Sequence, residues 1–333
     1  MYKRQAPKLY LQAGGIIGGI DNFQSSFPAL MEMLFAWAML LRGDVSAKLL
    51  HTLFGLLVGG LVFIGADRLF SRRVGWLALL IFASMPMIQT LAGWAYNDLA
   101  LAFYQLAGLY ALINYLLRLN DQASGAGQDN DNWGATGWLL LAAVFTGLAM
   151  GLKYTSIVMP VALGLLLIIF WANRGWWWSG LVDLLIFGAI AGLVSLPWYL
   201  KNWWITGNPV YPFLYGWFGG EFWSQFRADW YAAAGSGTGW DPVTLLLLPW
   251  LATLGINDAN YWDGRLGPLF LLFLPLLILF PLWGRRWSSI NWRVPYYSLS
   301  AYALVLFSFW TFGIIWSQSL WQSRLLLPAL VIL

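Results

Sequence analysis

The sequence predicts an all-α fold: a polytopic transmembrane helix bundle with interfacial helices in its outer loops. Three observations predict it. The chain is 60% hydrophobic and 10% charged, far below the roughly 25% charge of a soluble domain, so it cannot cover itself with polar surface. Apolar runs near the ~20 residues that cross hydrocarbon recur along it. Those runs lack the period-two alternation of a barrel strand, which leaves helices as the elements able to satisfy their own backbone in lipid. The 24 Trp and 15 Tyr fit the same picture, because both favour the headgroup level, with an apolar body in lipid and a polar tip in water.

The elements follow in chain order. Residues 1–46 read as a partial first outer loop. Within it Phe27–Leu41 is too short to span and carries Glu32, so it is expected to lie in the interface. Met1–Gln5 back-translates to a transposon adaptor used in sequencing libraries and is expected to be non-native, and both ends of the chain read as cut. Spans at 47–69, 75–94, 98–117, 136–152, 156–173 and 180–197 make a first transmembrane block, 47–197. An outer loop, 198–265, follows, with a second interfacial helix at Val243–Leu254. Spans at 266–283 and 295–314, and an incomplete one from 325, make up the block 266–333.

Orientation comes from the basic loops. Arg68, Arg72 and Arg73 share one short loop, and Arg285, Arg286 and Arg293 share another; short Arg-rich loops stay cytoplasmic. Asn120–Gly134 then faces the cytoplasm and reads as a flexible linker. The loops near Asp98, Lys153 and Arg324, and from Trp198 to Pro242, face outward. The expected location is the cell inner (plasma) membrane, with the working face toward the periplasm or exterior.

Several function classes fall away. The formal charge is +4, but the basic residues are scattered rather than clustered in a patch, so no nucleic-acid partner is expected. With no cysteine, disulfides, thiolate metal sites and Cys nucleophiles are excluded. No P-loop, GxSxG or HExxH pattern occurs. No repeat of the kind that marks many transporters is found.

What remains is a set of ionisable residues at one depth. Asp98 opens a span, Lys153 lies between two spans, Lys201 follows Pro197, and Arg324 precedes the last apolar run. Three cations and a carboxylate at one outward level suit an anionic substrate whose apolar part lies in the bilayer. Arg would grip a phosphate through its planar fork and Lys as a point charge. The plainer reading is that each charge snorkels to the headgroups or, for Asp98, caps a helix. Beside them runs an aromatic, Pro-punctuated stretch, Leu196–Phe213. Here Pro197 is expected to end or kink the span and Thr206-Gly207-Asn208-Pro209 to turn. His51, the only histidine, and Asp183 read as structural polar residues. Glu221, Arg227, Asp229, Asp241, Asp258, Asp263 and Arg265 read as solvated loop charges.

Four stretches carry a family resemblance: Tyr96-Asn97-Asp98-Leu99-Ala100, Gly147 to Thr155, Pro197 to Pro212, and Gln322 to Pro328. In order and spacing they resemble the GT-C superfamily of membrane glycosyltransferases, nearest its protein-mannosyltransferase-like and aminoarabinose-transferase-like branch. The resemblance implies transfer of a sugar from a polyprenyl-phosphate-linked donor to an extracytoplasmic lipid, glycan or protein acceptor. It implies that Asp98 is a second acidic position and that Arg324 is suited to donor phosphate, with Lys153 and Lys201 as further phosphate-binding cations. Tyr96, Asn97, Tyr154, Trp198, Asn202, Asn208 and Tyr211 are expected to line the substrate. Lys8-Leu9-Tyr10-Leu11 matches the stretch just after the family's principal catalytic carboxylate, which is therefore expected to be missing here. No cofactor is assigned, a divalent metal is left open, and no metal ligand is named. The competing readings are a transporter or flippase of a lipid-linked or anionic solute, and a non-enzymatic subunit of an envelope complex.

Overall fold

A computed structural model describes residues 4–20, 22–123, 134–233, 239–254, 275, 279, 292–317 and 322–332, and among these every regular element is a helix. The expected span 266–283, apart from those two single positions, and the residues Asp258, Asp263, Arg265, Arg285 and Arg286 lie outside the described residues.

The chain opens with α1 (Gln5–Ala13), a 3₁₀ turn at Phe23–Ser26 and α2 (Leu30–Arg42). α3 (Asp44–Leu69), α4 (Arg72–Ser84), α5 (Pro86–Ala92), α6 (Asp98–Ala123) and α7 (Ala135–Met150) follow. A 3₁₀ turn at Tyr154–Ile157 leads into α8 (Val158–Ala172), and α9 (Trp177–Thr206) follows. Then come α10 (Tyr215–Phe218), α11 (Gln225–Ala233), α12 (Pro242–Leu254) and α13 (Arg293–Trp316). A 3₁₀ turn at Ser323–Leu326 and α14 (Leu327–Leu330) come last. Among the described residues five helical segments are long and apolar enough to cross a membrane, or six if α4 and α5 count as one broken span.

Three expectations need correction. The span placed at 75–94 is bent by 66° between α4 and α5. Pro86 is the cause: it sits at the first position of α5, lacks a backbone N–H, and crowds the carbonyl one turn back. The span expected to end or kink at Pro197 does not end there but continues as helix past it, so that α9 is 30 residues long. One proline removes a single rung of the ladder, and the flanking residues keep theirs. The helix stops at Gly207, which takes φ +74 and caps the Trp203 carbonyl at 2.9 Å, the left-handed termination glycine allows. α6 likewise runs to Ala123, into the stretch expected to be a linker, whose residues 124–133 lie outside the described ones.

α6 is the centre of the bundle, with α3 and α7 against it and α9 outside α7. Leu109, Leu112, Ile113, Leu139, Ala142, Ala143 and Leu163 fill its middle and are buried. Gly147 lets α7 approach α9: a Cβ there would stand 2.6 Å from the Ala191 carbonyl oxygen and from Val194 Cβ. Gly147 and Gly151 thus form a small-xxx-small stripe, which lets helix backbones pack closely where lipid supplies no hydrophobic drive between them. The outer faces are apolar, with Leu56 70% and Leu193 68% exposed, as lipid contact requires. Asp183 is structural, as expected: it accepts from Trp171 Nε1 at 2.7 Å and from the Tyr115 hydroxyl.

α9 also gives the membrane frame. Exposed Trp177 near its start and exposed Trp204 near its end are about 40 Å apart along the axis, which matches a bilayer with its headgroups.

Candidate functional site

At one end of the bundle the chain must restart helices inside a crowded, apolar setting, and the backbone groups at those ends need partners. His51, buried in α3, supplies them. Its Nδ1 lies 3.0 Å from the Leu91 carbonyl at the end of α5, and its Nε2 accepts from the Leu99 N–H, 3.2 Å away, at the start of α6. That pair sets the tautomer: Nδ1 carries the proton. Thr52, one residue on, donates to the Ala92 carbonyl at 2.7 Å. α3 therefore clamps the α5–α6 corner and fixes the residue before Leu99, which is Asp98.

Asp98 is buried, and two cations reach it from separate elements. Lys153 Nζ, from the α7–α8 connection, lies 3.2 Å from Oδ1, and Arg324 Nε, from the 3₁₀ turn before α14, lies 4.0 Å from Oδ2. The Arg324 guanidinium sits over the Tyr96 ring, 4.6 Å from its centroid, and Nε donates to Gln322 Oε1 at 3.0 Å. Asn97 donates to the Leu152 carbonyl at 3.2 Å, tying the start of α6 to the strand of chain that carries Lys153. Leu30 N–H donates to the Gly151 carbonyl at 3.0 Å, so the start of α2 is fastened there too.

The depth of this cluster follows from α9. A Cβ on Gly151 would lie 2.7 Å from the Trp198 indole, so the Lys153 connection stands level with Trp198. That level is roughly 8 Å along the axis from the Trp203–Trp204 pair, close to the boundary of hydrocarbon and headgroup.

Lys201 is held elsewhere: its Nζ is 3.1 Å from the Phe27 carbonyl and 3.4 Å from that of Ser26. It caps the 3₁₀ turn that leads into α2. A lattice of aromatic rings connects the two places. Tyr154 follows Lys153; its ring packs on Phe27 (5.0 Å) and Phe213 (5.4 Å). Its hydroxyl accepts from Asn202 Nδ2 at 2.7 Å and donates to the Tyr211 carbonyl at 3.0 Å. Asn208 acts within its own loop, donating to the Phe213 and Gly219 carbonyls at 2.9 and 3.0 Å and accepting from Val210 N–H at 2.9 Å. Burial pushes the Tyr211 phenol up from its ordinary value, partly offset by the nearby Arg227 charge.

The structure thus brings together Asp98, Lys153, Arg324, Tyr96 and Asn97. It gathers Tyr154, Trp198, Lys201, Asn202, Asn208 and Tyr211 into an adjoining aromatic scaffold. Sequence reasoning did not single out Gln322 or assign His51 its clamp. The Gly147-xxx-Gly151 spacing was a readable signal for the α7–α9 contact. Among the described residues no three His, Cys, Asp or Glu side chains gather where they could hold a metal ion.

Comparison with known proteins shows what the chain is similar to. Residues 37–206 match the family described as dolichyl-phosphate-mannose-protein mannosyltransferase. A crystal structure of ArnT from Cupriavidus metallidurans bound to undecaprenyl phosphate superposes with a TM-score of 0.59 at 18% identity, covering 99% of this chain and 53% of that one. The apo-state crystal structure of the same protein superposes with a TM-score of 0.56 at 19% identity and the same coverage. At such identity the likeness is one of fold, and the chain spans about half the length of these solved structures. No curated protein sequence matches significantly.

Proposed function

The chain belongs to the dolichyl-phosphate-mannose-protein mannosyltransferase family, and we propose on that basis that it is a membrane glycosyltransferase. It moves a sugar from a polyprenyl-phosphate-linked donor to an acceptor on the outer side of the inner (plasma) membrane. The observation that carries the reading is the buried meeting of Asp98 with Lys153 and Arg324 at the headgroup boundary. That is the depth at which the phosphate of a lipid carrier lies while its chain stays in hydrocarbon. A polyprenyl-phosphate donor is further supported by the solved relative of this fold that binds undecaprenyl phosphate.

The chemistry divides among the residues as follows. A glycosyl phosphate departs through an oxocarbenium-like, charge-separated transition state. Lys153 and Arg324 stabilise the leaving phosphate, and do so strongly because the site is partly dehydrated. Tyr96 and Gln322 hold the guanidinium plane in place. Asp98, the second acidic position, is enclosed between the cations and sets their geometry. A carboxylate base takes the proton of the acceptor hydroxyl. Lys201 supports the site from the loop it grips. The acceptor is a lipid, a glycan or a protein.

The buried residues that fill the middle of α6, α7 and α8 favour chemistry at one end of the bundle over a conduit through it. The test is turnover and donor binding in membranes carrying the protein. Arg324→Ala and Lys153→Ala should each lower turnover by about 10²–10³ and weaken donor binding. Unchanged turnover together with unchanged donor affinity would remove the proposal.

A further inference from the structure

Between the loop that precedes α2 and the loop that follows α9 lies an open cavity of about 430 Å³, within the ~300–1,000 Å³ range of small-ligand sites. Its walls include the rings of Phe23, Tyr211, Trp223 and Trp230, and its polar groups include Asn22 and Arg227.

The walls are built, not incidental. The Phe23 ring packs 5.2 Å from Trp223 and 5.2 Å from Tyr231, locking one loop on the other. Phe222 takes φ +64, a left-handed conformation that is strained for a bulky side chain. Its ring occupies the space that a Cβ on Gly18 or Gly19 would need, at 3.0 and 3.1 Å, so the Gly18-Gly19 pair is what admits it. Its carbonyl accepts from Arg227 Nη1 at 3.3 Å. The same guanidinium lies 5.9 Å from the Trp223 ring centroid. A strained backbone thus holds a cation at the rim of an aromatic cleft.

That combination selects a chemistry. A sugar ring offers apolar C–H faces to aromatic rings and hydroxyls to Asn22 and Tyr211. A guanidinium fork matches a phosphate or a carboxylate. We infer that this cavity binds a sugar carrying an anionic substituent, and that it is the acceptor subsite of the enzyme. The second half rests on the transferase reading above. The cavity adjoins the reacting end, because Tyr211 in its wall accepts from the hydroxyl of Tyr154, the residue after Lys153.

The test is a ligand-observed NMR titration of the purified chain in detergent with glucose 6-phosphate and glucuronate, with glucose and inorganic phosphate as controls. One or both anionic sugars should bind, and which one identifies the substituent as phosphate or carboxylate. Arg227→Gln and Trp230→Ala should each weaken binding roughly tenfold or more; both side chains are exposed, so the fold survives. Arg324→Gln should leave this binding unchanged. Equal binding by Arg227→Gln and Trp230→Ala, binding lost only in Arg324→Gln, or equal affinity for inorganic phosphate alone overturns the inference. In turnover assays Arg227→Gln should raise the acceptor KM and leave kcat and the donor KM alone; an unmoved acceptor KM rejects the acceptor role. If the Arg324 and Lys153 variants turn over normally, the transferase reading fails while the binding result still stands or falls independently.

Discussion

His51→Leu probes the clamp on which the site is mounted. Leucine has similar bulk, so the substitution removes hydrogen bonds without leaving a large hole. The Leu99 N–H, now accepted by His51 Nε2 at 3.2 Å, would be a buried donor at a helix start. The Leu91 carbonyl would keep its bond from the Trp94 N–H at 3.1 Å and lose only its second partner. An orphaned buried donor costs about 1–3 kcal/mol and a forfeited ordinary bond about 0.5–1.5, for a total of roughly 1.5–4.5 kcal/mol. Thermal unfolding in detergent should then fall by about 2–6 °C, with faster amide exchange at Leu99. His51→Gln retains both a donor and an acceptor, and should lose less. Because Leu99 follows Asp98, turnover should fall together with the exchange protection. An unchanged midpoint with unchanged Leu99 protection would refute the clamp.

Further outcomes follow from other contacts. Gly147→Ala would push a methyl to 2.6 Å from the Ala191 carbonyl oxygen, backbone that cannot retreat, and should cost about 1–3 kcal/mol by overpacking. Gly188→Ala, with nothing within 4 Å, should be neutral or slightly stabilising in the same unfolding assay. Lys201→Met should free the Ser26 and Phe27 carbonyls, speed proteolysis of the 23–29 loop, and lower turnover by less than Arg324→Ala does; an effect as large as that of Arg324→Ala would put Lys201 on the phosphate. Asp241 caps α12, accepting from Val243 N–H at 3.2 Å and Thr244 N–H at 3.3 Å, and its carboxyl is held below its ordinary value, chiefly by the Thr244 hydroxyl. A lowered folded value means the cap is complete above the ordinary carboxyl range and is lost as pH falls below it. Exchange of the Val243 and Thr244 amides should therefore show reduced protection in acid, a change that Asp241→Asn should abolish.

Composition and run length were sufficient for the architecture, because hydrocarbon offers no partner to a bare backbone and leaves a chain this apolar only helices. Phe27–Leu41 and Val243–Leu254 were recognisable as short helices for the same reason, although α2 begins only at Leu30, past Pro28. Pro86 and Pro197 show the limit of local reading. Both carry the same backbone defect, yet one breaks a helix by 66° and the other is carried inside 30 continuous residues. Packing around each proline decides between those outcomes.

The site divides along the same line. Depth is a one-dimensional property that hydropathy reports, so Asp98, Lys153, Lys201 and Arg324 could be assigned a common level from their positions beside apolar runs. Which of them meet depends on how each helix is rotated and which neighbour it packs on. Asp98 and Lys153 are 55 residues apart in the chain yet 3.2 Å apart in space. Lys201 at a similar level turns to the carbonyls of Ser26 and Phe27 instead. Rotation about a helix axis is set by contacts such as Gly151 on Trp198 and His51 on Leu99. Those contacts come from distant segments; a local pattern such as Gly147-xxx-Gly151 marks a face for close packing but not the residue it meets.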